Sequence, residues 1–340
     1  MSSPSPRILL NDDGPPGPQS PYVYGLYRYI TTILRWDVKV VVPSSQKSWI
    51  GKAFHITEIT KGRYYYPKEP DGMGEVSSAS RPLNEGEVAE WVLLDGTPAT
   101  CTNIALHNLY PGTIDLVISG PNLGRNSSAA FAMSSGTIGA AMSSALSQVR
   151  SVAISYGTVL HPTPNELFEP AHILSARIIQ YLWNNWGRDV GGMRNGEIDM
   201  YNVNVPMIME LLNPEGIDVH WTHMWRNSYG QLFKAISASD ATSTKREIPS
   251  ESPDVAGQHT AQQSGSGSDV PKEEPAALVF KFSPDVQPLI TPSLASLPVG
   301  SDGWAIAKGH ASITPLRACF AHVDHDNAAT GTESMRILKF

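Results

Sequence analysis

Cysteine is scarce in this chain of 340 residues, which contains only Cys101 and Cys319. Two cysteines at this separation form neither a disulfide framework nor the paired spacing of a structural zinc site. Disulfide-rich sequences belong to oxidising compartments. The cysteine content therefore predicts a protein of a reducing compartment.

Long apolar runs are also lacking. No uninterrupted apolar segment approaches the roughly 20 residues that a membrane-spanning helix requires. Residues 1–6 are rich in Ser and Pro and contain no apolar core of a secretion signal. We therefore expect a cytoplasmic protein that does not associate with a membrane.

Positive charge is in deficit, because 25 Lys and Arg stand against 32 Asp and Glu, for a formal net charge of −7. A protein that binds a nucleic acid duplex usually presents a basic surface. We therefore expect no nucleic acid duplex as a partner. Small anionic substrates stay compatible with this charge, since a metal ion and backbone amides can supply a local positive field.

What the sequence does contain is a repeated alternation of strand and helix signals. Short β-branched or apolar runs predict buried strands, and segments with helical spacing between them predict helices. The predicted strands after the first are residues 38–42, 92–94, 114–118, 152–155 and 201–205. The predicted helices are a first one with Ser20 as N-cap and Pro21 at its first position, then 99–109, 138–149 and one through Ile173 and Leu182. This order predicts an α/β fold, a Rossmann-like three-layer sandwich around a mostly parallel sheet.

The carboxyl-terminal third has a different composition. Residues 238–275 are rich in Ser, Gly, Gln, Glu and Pro, and we predict a disordered low-complexity insert there. Residues 278–282 and 304–315 are predicted as strands of an antiparallel extension. The predicted organisation is a core of residues 1–237, the insert, and an arm of residues 276–340 that completes the domain.

The first predicted strand ends in Asn11-Asp12-Asp13-Gly14. Two adjacent carboxylates repel each other, and a cation would offset the cost of keeping both ionised at the end of a buried strand. Taken alone, the pattern is more typical of an Asp-rich turn after a strand. Whether these residues form a cation site or only a turn therefore depends on which side chains follow the other strands.

Further oxygen-bearing side chains follow the next three predicted strands. Ser48 follows the second, Thr97 the third, and Asn122 and Asn126 the fourth. Loops at the carboxyl edge of a parallel sheet converge, so these groups can meet in one crevice. Hydroxyl, amide and carboxylate oxygens suit Mg²⁺, Mn²⁺ or Ca²⁺ and do not suit a closed zinc site.

Ser134-Ser135-Gly136-Thr137 directly precedes a predicted helix that is rich in small residues. Hydroxyls, a glycine and free backbone amides at a helix start form a natural seat for phosphate. The segment is not a Walker loop, because no Gly-Lys-Ser/Thr follows. Without the other motifs an ordinary Ser or Thr N-cap would explain it.

Six segments in order along the chain resemble the survival protein SurE family. They are ILLNDDG at 8–14, DGTPA at 95–99, SGPNLGRN at 119–126, SGT at 135–137, NVNVP at 202–206 and SITPL at 312–316. Each is weak alone, but together they span most of the chain. The resemblance implies a Rossmann-like core and a divalent-metal-dependent phosphomonoesterase that hydrolyses nucleoside monophosphates, of the 5′/3′-nucleotidase or acid phosphatase type, with Mg²⁺ or Mn²⁺.

The resemblance also implies roles for particular residues. The metal ligands implied are Asp12, Asp13, Ser48 and Asn122, with Asp12 and Asp13 also catalytic. The phosphate-binding positions implied are Asn126, Ser135, Gly136 and Thr137. The carboxyl-terminal arm is implied to form a homodimer or higher homo-oligomer. No residue is assigned as the general acid.

The sequence departs from the family pattern at two positions. Ser134 stands where a histidine is frequent, and Thr100 replaces a usual aspartate. With the long insert, the pattern is similar to a fungal branch with acid phosphatase-like members. These departures bear on substrate preference more than on the metal site, and they leave a non-catalytic phosphate- or nucleotide-binding regulator as the alternative.

Other residue patterns in the sequence give weaker support to different functions. A dinucleotide-dependent oxidoreductase needs a Gly-x-Gly-x-x-Gly turn after the first strand, where Asn-Asp-Asp-Gly stands instead. His220 and His223 lie on a predicted strand that would direct them to opposite faces, which weakens a metal site there. The histidines at 322 and 325 lie in a polar tail, where we expect a solvated segment and no defined metal site.

Overall fold

The core of the protein is a ten-stranded mixed sheet in the order β4-β3-β5-β2-β1-β6-β7-β8-β12-β9. The computed structural model describes residues 4–159, 162–236, 278–284 and 287–321. The six strands from β5 to β8 in this order are parallel, while β3 and β4 at one edge and β12 near the other run antiparallel to their inner neighbours. The predicted α/β Rossmann-like sandwich is confirmed.

The first half of the chain supplies most of the parallel strands. Its elements are β1 (Arg7–Asn11), α1 (Val23–Thr32), β2 (Asp37–Pro43), β3 (Gly62–Pro67), β4 (Gly74–Ser77), β5 (Trp91–Leu94), α2 (Pro98–Ile104), β6 (Leu116–Leu123), α3 (Ala129–Ser134), α4 (Gly136–Leu146) and β7 (Arg150–Thr158). A π-helical segment, Ala105–Leu109, continues α2.

The second half completes the sheet from its other side. Its elements are α5 (Phe168–Asn184), β8 (Met200–Met207), β9 (Val219–Trp221), β10 (Phe233–Ala235), β11 (Phe280–Phe282), α6 (Gln287–Ile290), α7 (Asp302–Ala307) and β12 (Ala311–Leu316). The strands β10 and β11 pair with each other as a separate antiparallel ribbon. Short 3₁₀ turns lie at Asn165–Leu167, Met209–Leu212 and Leu294–Ser296.

Helices cover both faces of the sheet, as the period of two in β1 requires. Ile8 and Leu10 join one apolar cluster with α1 and α5, whereas Leu9 faces the opposite way and packs against α2. The helix α4 packs on the same side as α2, mainly through Ile138, Ala141 and Ala145. Strands buried on both faces explain why the runs in the sequence are continuously apolar rather than alternating.

Several predicted boundaries were wrong. The segment predicted as one strand over 304–315 is a helix, α7, followed by β12; Ser301 caps the helix because its hydroxyl accepts the Trp304 backbone N–H at 3.2 Å. The first helix begins at Val23, two residues after Pro21. The edge strands β3 and β4 were not predicted. They contain Gly and Pro and alternate irregularly, so their pairing depends on the neighbouring β5.

The predicted insert at 238–275 lies outside the described residues, as do the histidines at 322 and 325. The division into core, insert and arm therefore stays a prediction. Within the ranges that the structure describes, no helix combines the length and apolarity needed to cross a membrane.

A buried histidine lies where α1 and α5 pack together. A Cβ on Gly25 would lie 2.2 Å from His172 Nε2, so only glycine permits this close approach of the helices. The Tyr156 hydroxyl and His172 Nδ1 share a hydrogen bond of 3.0 Å. Burial lowers the pKa of His172 to about 4, because the charged imidazolium cannot be hydrated there.

This burial predicts loss of stability in mild acid. The unfolded chain binds a proton on His172 at a higher pH than the folded chain does, so the stability is complete above the ordinary histidine pKa and falls as pH decreases towards about 4. When the pH is lowered from about 8 to about 5, we expect the shifted pKa of His172 to lower the free energy of unfolding by about 2 kcal/mol. Denaturant melts of wild type and His172→Gln check this: the variant should lose that part of the pH slope. An unchanged slope would contradict the buried neutral imidazole.

Candidate active site

A crevice opens at the carboxyl edge of the parallel strands, between β1 and β6. The chain winds outward from β1 through β2 to one side and resumes with β6 on the other side, so β1 and β6 flank the topological switch point. Open parallel sheets bind their ligands at this point. Asn11 pairs in register with Ser119, which brings the residues that follow the two strands next to each other.

The end of β6 is bent by Gly120. This residue has a φ of +114°, and a Cβ there would lie 2.1 Å from the Ile154 carbonyl oxygen, so no other residue fits. The pairing of β6 with β7 shifts register between Ser119 and Asn122. The bend thus separates the buried part of β6 from Asn122, which lines the crevice.

Asp12 and Asp13 are almost fully buried, at 1% and 4% exposure. Both carboxylate oxygens of Asp12 and Oδ1 of Asp13 are buried without a well-formed hydrogen bond to any of the described residues. Burial, and then the charge of Asp13, raise the pKa of Asp12 well above its usual range, and burial likewise raises the pKa of Asp13. Two carboxyl groups in such surroundings lack the positive partner that would hold them ionised.

The loop that carries Ser48 is held by residues of other elements. The Gly51 backbone N–H donates to the Ser134 carbonyl at 2.9 Å. The Thr97 hydroxyl donates to the Ala53 carbonyl at 2.6 Å and also accepts the Thr100 N–H as the cap of α2. Thr97 does not line the crevice, so the expectation that it joins the site is corrected: it supports the loop instead.

Asn122 and Asn126 are fixed by different partners. The Asn122 side-chain nitrogen donates to the Gly124 carbonyl at 2.8 Å, which leaves the side-chain oxygen as the atom that can act as a ligand. The Asn126 backbone N–H donates to Asn204 Oδ1 at 2.7 Å, and its carbonyl accepts from Asn202 Nδ2 at 2.9 Å. The two asparagines of β8 therefore hold the loop, and Asn126 Nδ2 donates to Ser155 Oγ at 2.8 Å.

The amino terminus of α4 faces the same crevice. Ser135 caps this 11-residue helix, since its hydroxyl accepts the Ile138 N–H at 3.2 Å. A Cβ on Gly136 would lie 2.8 Å from Asp13 Oδ1, so glycine allows the carboxylate to approach the helix end closely. The unpaired amides and the helix dipole make this end attractive to an anion.

Six of the predicted site residues come together in one pocket, and two do not line it. Asp12 and Thr137 are buried, and Thr137 Oγ1 has no hydrogen-bonding partner within the part of the chain that the structure describes. The pocket is lined by Asp13, Ser48, Trp49, Asn122, Arg125, Asn126, Phe131, Ser134, Ser135 and Gly136.

Arg125, Trp49 and Phe131 were not predicted as site residues. The Arg125 guanidinium donates to the carbonyls of Ile290 and Thr158 at 3.1 and 3.4 Å, and it adds positive charge beside the pocket. Its position in the sequence between Asn122 and Asn126 could have identified Arg125 as a site residue. The ring of Trp49 contacts Phe131 and also Phe282 of β11, at centroid distances of 6.1 and 5.2 Å, which no local pattern reveals.

The residues present fit a hard divalent cation. Among the described residues, both carboxylate oxygens of Asp12 and Oδ1 of Asp13 are buried without a well-formed hydrogen bond, and the Ser48 hydroxyl and Asn122 amide oxygen lie on the same pocket. An all-oxygen donor set of this kind suits Mg²⁺ or Mn²⁺. A cation would also supply the positive charge that the two carboxyl groups lack.

Comparisons with known proteins agree on one family. The profile of the family described as Survival protein SurE matches residues 8–231. A protein of Saccharomyces cerevisiae named probable tubulin–tyrosine ligase PBY1 is 35% identical over 249 residues, which are 67% of this chain and 32% of that protein. The 5′-nucleotidase SurE of Desulforudis audaxviator is 40% identical over 152 residues, 44% of this chain and 50% of the relative. The matched part is thus a third to a half of the length of these relatives.

A solved structure extends the likeness to the fold. The crystal structure of the SurE protein from Aquifex aeolicus superposes with a TM-score of 0.55 over 93% of this chain and 95% of that chain. The sequence identity is 21%, so this likeness concerns the fold alone.

Proposed function

The chain belongs to the survival protein SurE family, and on that premise we propose that it is a divalent-metal-dependent phosphomonoesterase that hydrolyses nucleoside monophosphates. It is then a phosphoric monoester hydrolase of the 5′/3′-nucleotidase or acid phosphatase type. The name of the Desulforudis relative, a 5′-nucleotidase, supports nucleotidase activity in general.

One observation carries the proposal. Both carboxylate oxygens of Asp12 and Oδ1 of Asp13 are buried at the switch point of the sheet without a well-formed hydrogen bond from the described residues, and Asp13 also lies against the amino terminus of α4. A purely structural pair of aspartates would be hydrogen-bonded or exposed. This arrangement instead combines a seat for a cation with a seat for a phosphate.

The proposed ligands of the cation are Asp12, Asp13, Ser48 and Asn122. When bound, such a cation supplies positive charge that offsets the negative charge of the phosphoryl group in the transition state. Metal-dependent phosphate release distinguishes Mg²⁺ from Mn²⁺.

The other groups of the pocket act on the phosphate and on the attacking water. The amides at the start of α4, with Ser135 and Asn126, orient the phosphoryl oxygens, and Gly136 and Thr137 complete that helix end. An unengaged carboxylate oxygen of Asp12 or Asp13 accepts a proton from water. The water oxygen forms the new bond to phosphorus as the ester bond breaks, the leaving alkoxide takes up a proton from solvent water, and the carboxyl group returns its proton to solvent.

The aromatic rings at the pocket support a substrate with a nucleobase. Trp49 lies on the pocket lining, with Phe131 and Phe282 against it. A flat aromatic surface beside a phosphate seat suits stacking of a base. Ser134, which occupies the position of a frequent family histidine, bonds instead to Tyr229 through the two hydroxyls at 2.9 Å, so this wall differs from the family pattern.

Phosphate release from a panel of nucleoside monophosphates and an aryl phosphate, with EDTA, Mg²⁺ or Mn²⁺, tests the proposal. We expect release that disappears in EDTA and returns with one of the two metals, and faster turnover of nucleotides than of the aryl ester. Release that is indifferent to EDTA contradicts the metal-dependent mechanism. Nucleotide binding without any turnover would favour the alternative, a non-catalytic regulator.

Two further expectations stay predictions. A homodimer or higher homo-oligomer rests on the family resemblance, and the cytoplasmic location rests on the sequence. The ligase activity in the name of the yeast relative is not carried over, because the chain matches 32% of that protein and the matched profile is that of SurE.

A further inference from the structure

A second group of potential metal ligands lies at the opposite edge of the sheet from β4. Asp218, His220 and His310 each direct one ligand atom to within 4.8 Å of the others. Asp218 directly precedes β9, His220 is in β9, and His310 directly precedes β12. None of the three lines the candidate active site.

Backbone pairing holds these residues together. The strands β9 and β12 are parallel, with Val219 opposite Ala311 and His220 opposite Ser312. The Ala311 N–H donates to the Asp218 carbonyl at 2.9 Å, which fixes the starts of the two strands side by side. The grouping is therefore imposed by strand register, and it does not depend on two mobile loops meeting.

The two imidazoles are also positioned by ring contacts. His220 and His310 lie 4.5 Å apart between ring centroids, and the Trp304 ring contacts both, at 5.8 and 6.1 Å. His310 Nδ1 lies 3.9 Å from Asp218 Oδ2. A cleft of about 250 Å³ opens beside Asp218 and His310, which leaves room for water ligands.

We propose that Asp218, His220 and His310 form a binding site for a zinc-like transition-metal ion, with water as the fourth ligand. Two imidazole nitrogens and one carboxylate oxygen are a donor set that Zn²⁺ accepts in tetrahedral coordination, whereas Mg²⁺ prefers oxygen alone. The active-site donors are all oxygens, so the two sites differ in the class of metal they select.

The ligand atoms must move closer together to bind the ion. Bonds of about 2.0 Å in tetrahedral geometry place ligand atoms about 3.3 Å apart. Asp218, whose side chain is 80% exposed, can rotate to close this difference, and His310 is 26% exposed. A bound ion would cross-link β9 to β12, the two strands at the end of the sheet, and would raise the melting temperature of the protein.

The test is a calorimetric titration of the full chain with Zn²⁺ in excess Mg²⁺, which competes with Zn²⁺ for the proposed oxygen-ligand site. We expect one Zn²⁺ site, with a dissociation constant raised at least about tenfold by His220→Asn, His310→Asn or Asp218→Asn. Co²⁺ substituted for Zn²⁺ should give the visible absorption of a tetrahedral site, and Zn²⁺ should raise the melting temperature of wild type only.

Matched variants exclude the other histidines as the source of the signal. His223→Asn, in the same segment but outside the group, and the double change of His322 and His325 to Asn should retain full binding. The proposal is overturned if wild type binds no Zn²⁺, if the three ligand variants bind it as wild type does, or if binding is lost in either control. Because the three ligands are partly exposed, their variants should melt like wild type in EDTA, which separates loss of the ion from loss of the fold.

Discussion

Replacement of Asp12 by asparagine is expected to lower kcat/KM for nucleoside monophosphates by at least about a thousandfold. The variant keeps the shape of the side chain and removes one negative charge from the buried pair. In the proposed mechanism that charge helps to hold the cation, and the cation in turn offsets the charge of the phosphoryl group. Phosphate release at saturating metal measures the effect.

The same substitution should leave the fold intact and change how metal affects its stability. Both carboxyl groups have a raised pKa, so in EDTA the folded protein retains protons that the unfolded chain has already released, and this penalty on folding grows as pH rises. Asp12→Asn should therefore melt at the same or a higher temperature than wild type in EDTA. Mg²⁺ or Mn²⁺ should raise the melting temperature of wild type much more than that of the variant.

Asp95→Asn is the matched control for this prediction. Asp95 also follows a parallel strand at the same edge of the sheet, but it accepts hydrogen bonds from Ser44 and Arg63 at 2.6 and 3.2 Å and does not line the pocket. Its variant should keep close to wild-type turnover and the full response to metal. Wild-type activity and metal dependence in Asp12→Asn would overturn the assignment.

The sheet was predictable because its strands are short apolar runs that end in polar groups. In a strand covered on both faces every position is apolar, so the run itself marks the element, as in Ile8, Leu9 and Leu10 of β1, all of which are fully buried. The meeting of Asp13 with Asn122 followed from topology, since the carboxyl ends of β1 and β6 are neighbours. Their proposed roles came from the resemblance to a family.

Contacts between distant segments account for what the sequence did not reveal. Thr97 looked like a ligand because it follows a strand, yet its hydroxyl supports the loop of Ser48. His220 looked isolated on its strand, and its partner His310 comes 90 residues later through the pairing of β9 with β12. Trp304 was assigned to a strand because its apolar neighbours fit either period, and the capping role of Ser301 decided for a helix.

The largest expected effect on stability belongs to Asp302, a residue that no sequence motif singled out. Asp302 is fully buried, and its carboxylate accepts three backbone N–H groups, from Ser128 at 2.8 Å, Trp225 at 2.9 Å and Gly303 at 2.7 Å. It thereby joins the start of α7 to the segment before α3, which leads into the pocket. Ser128 has a φ of +79°, so that segment needs external support.

Asp302→Ala should lower the free energy of unfolding by about 3–5 kcal/mol, because it leaves three buried donors without an acceptor. Asp302→Asn keeps one acceptor oxygen and should lose less, about 1–3 kcal/mol. Denaturant melts measure both values. The turnover of Asp302→Ala, assayed under conditions in which the variant is folded, should also fall. The segment between Asn126 and Ser135 then loses the hydrogen bond from the Ser128 N–H to the carboxylate.

The charge-matched control is Glu215→Ala, which removes an exposed carboxylate and should change stability by no more than about 0.5 kcal/mol. A loss for Asp302→Ala as small as that of the control would mean that water satisfies the three N–H groups. The carboxylate would then not be the anchor of this segment. A loss equal for Ala and Asn would show instead that the charge matters more than the count of acceptors, since burial raises the pKa of Asp302 and the three N–H donors oppose that shift. The ordering wild type, then Asn, then Ala is the result that the hydrogen-bond geometry requires.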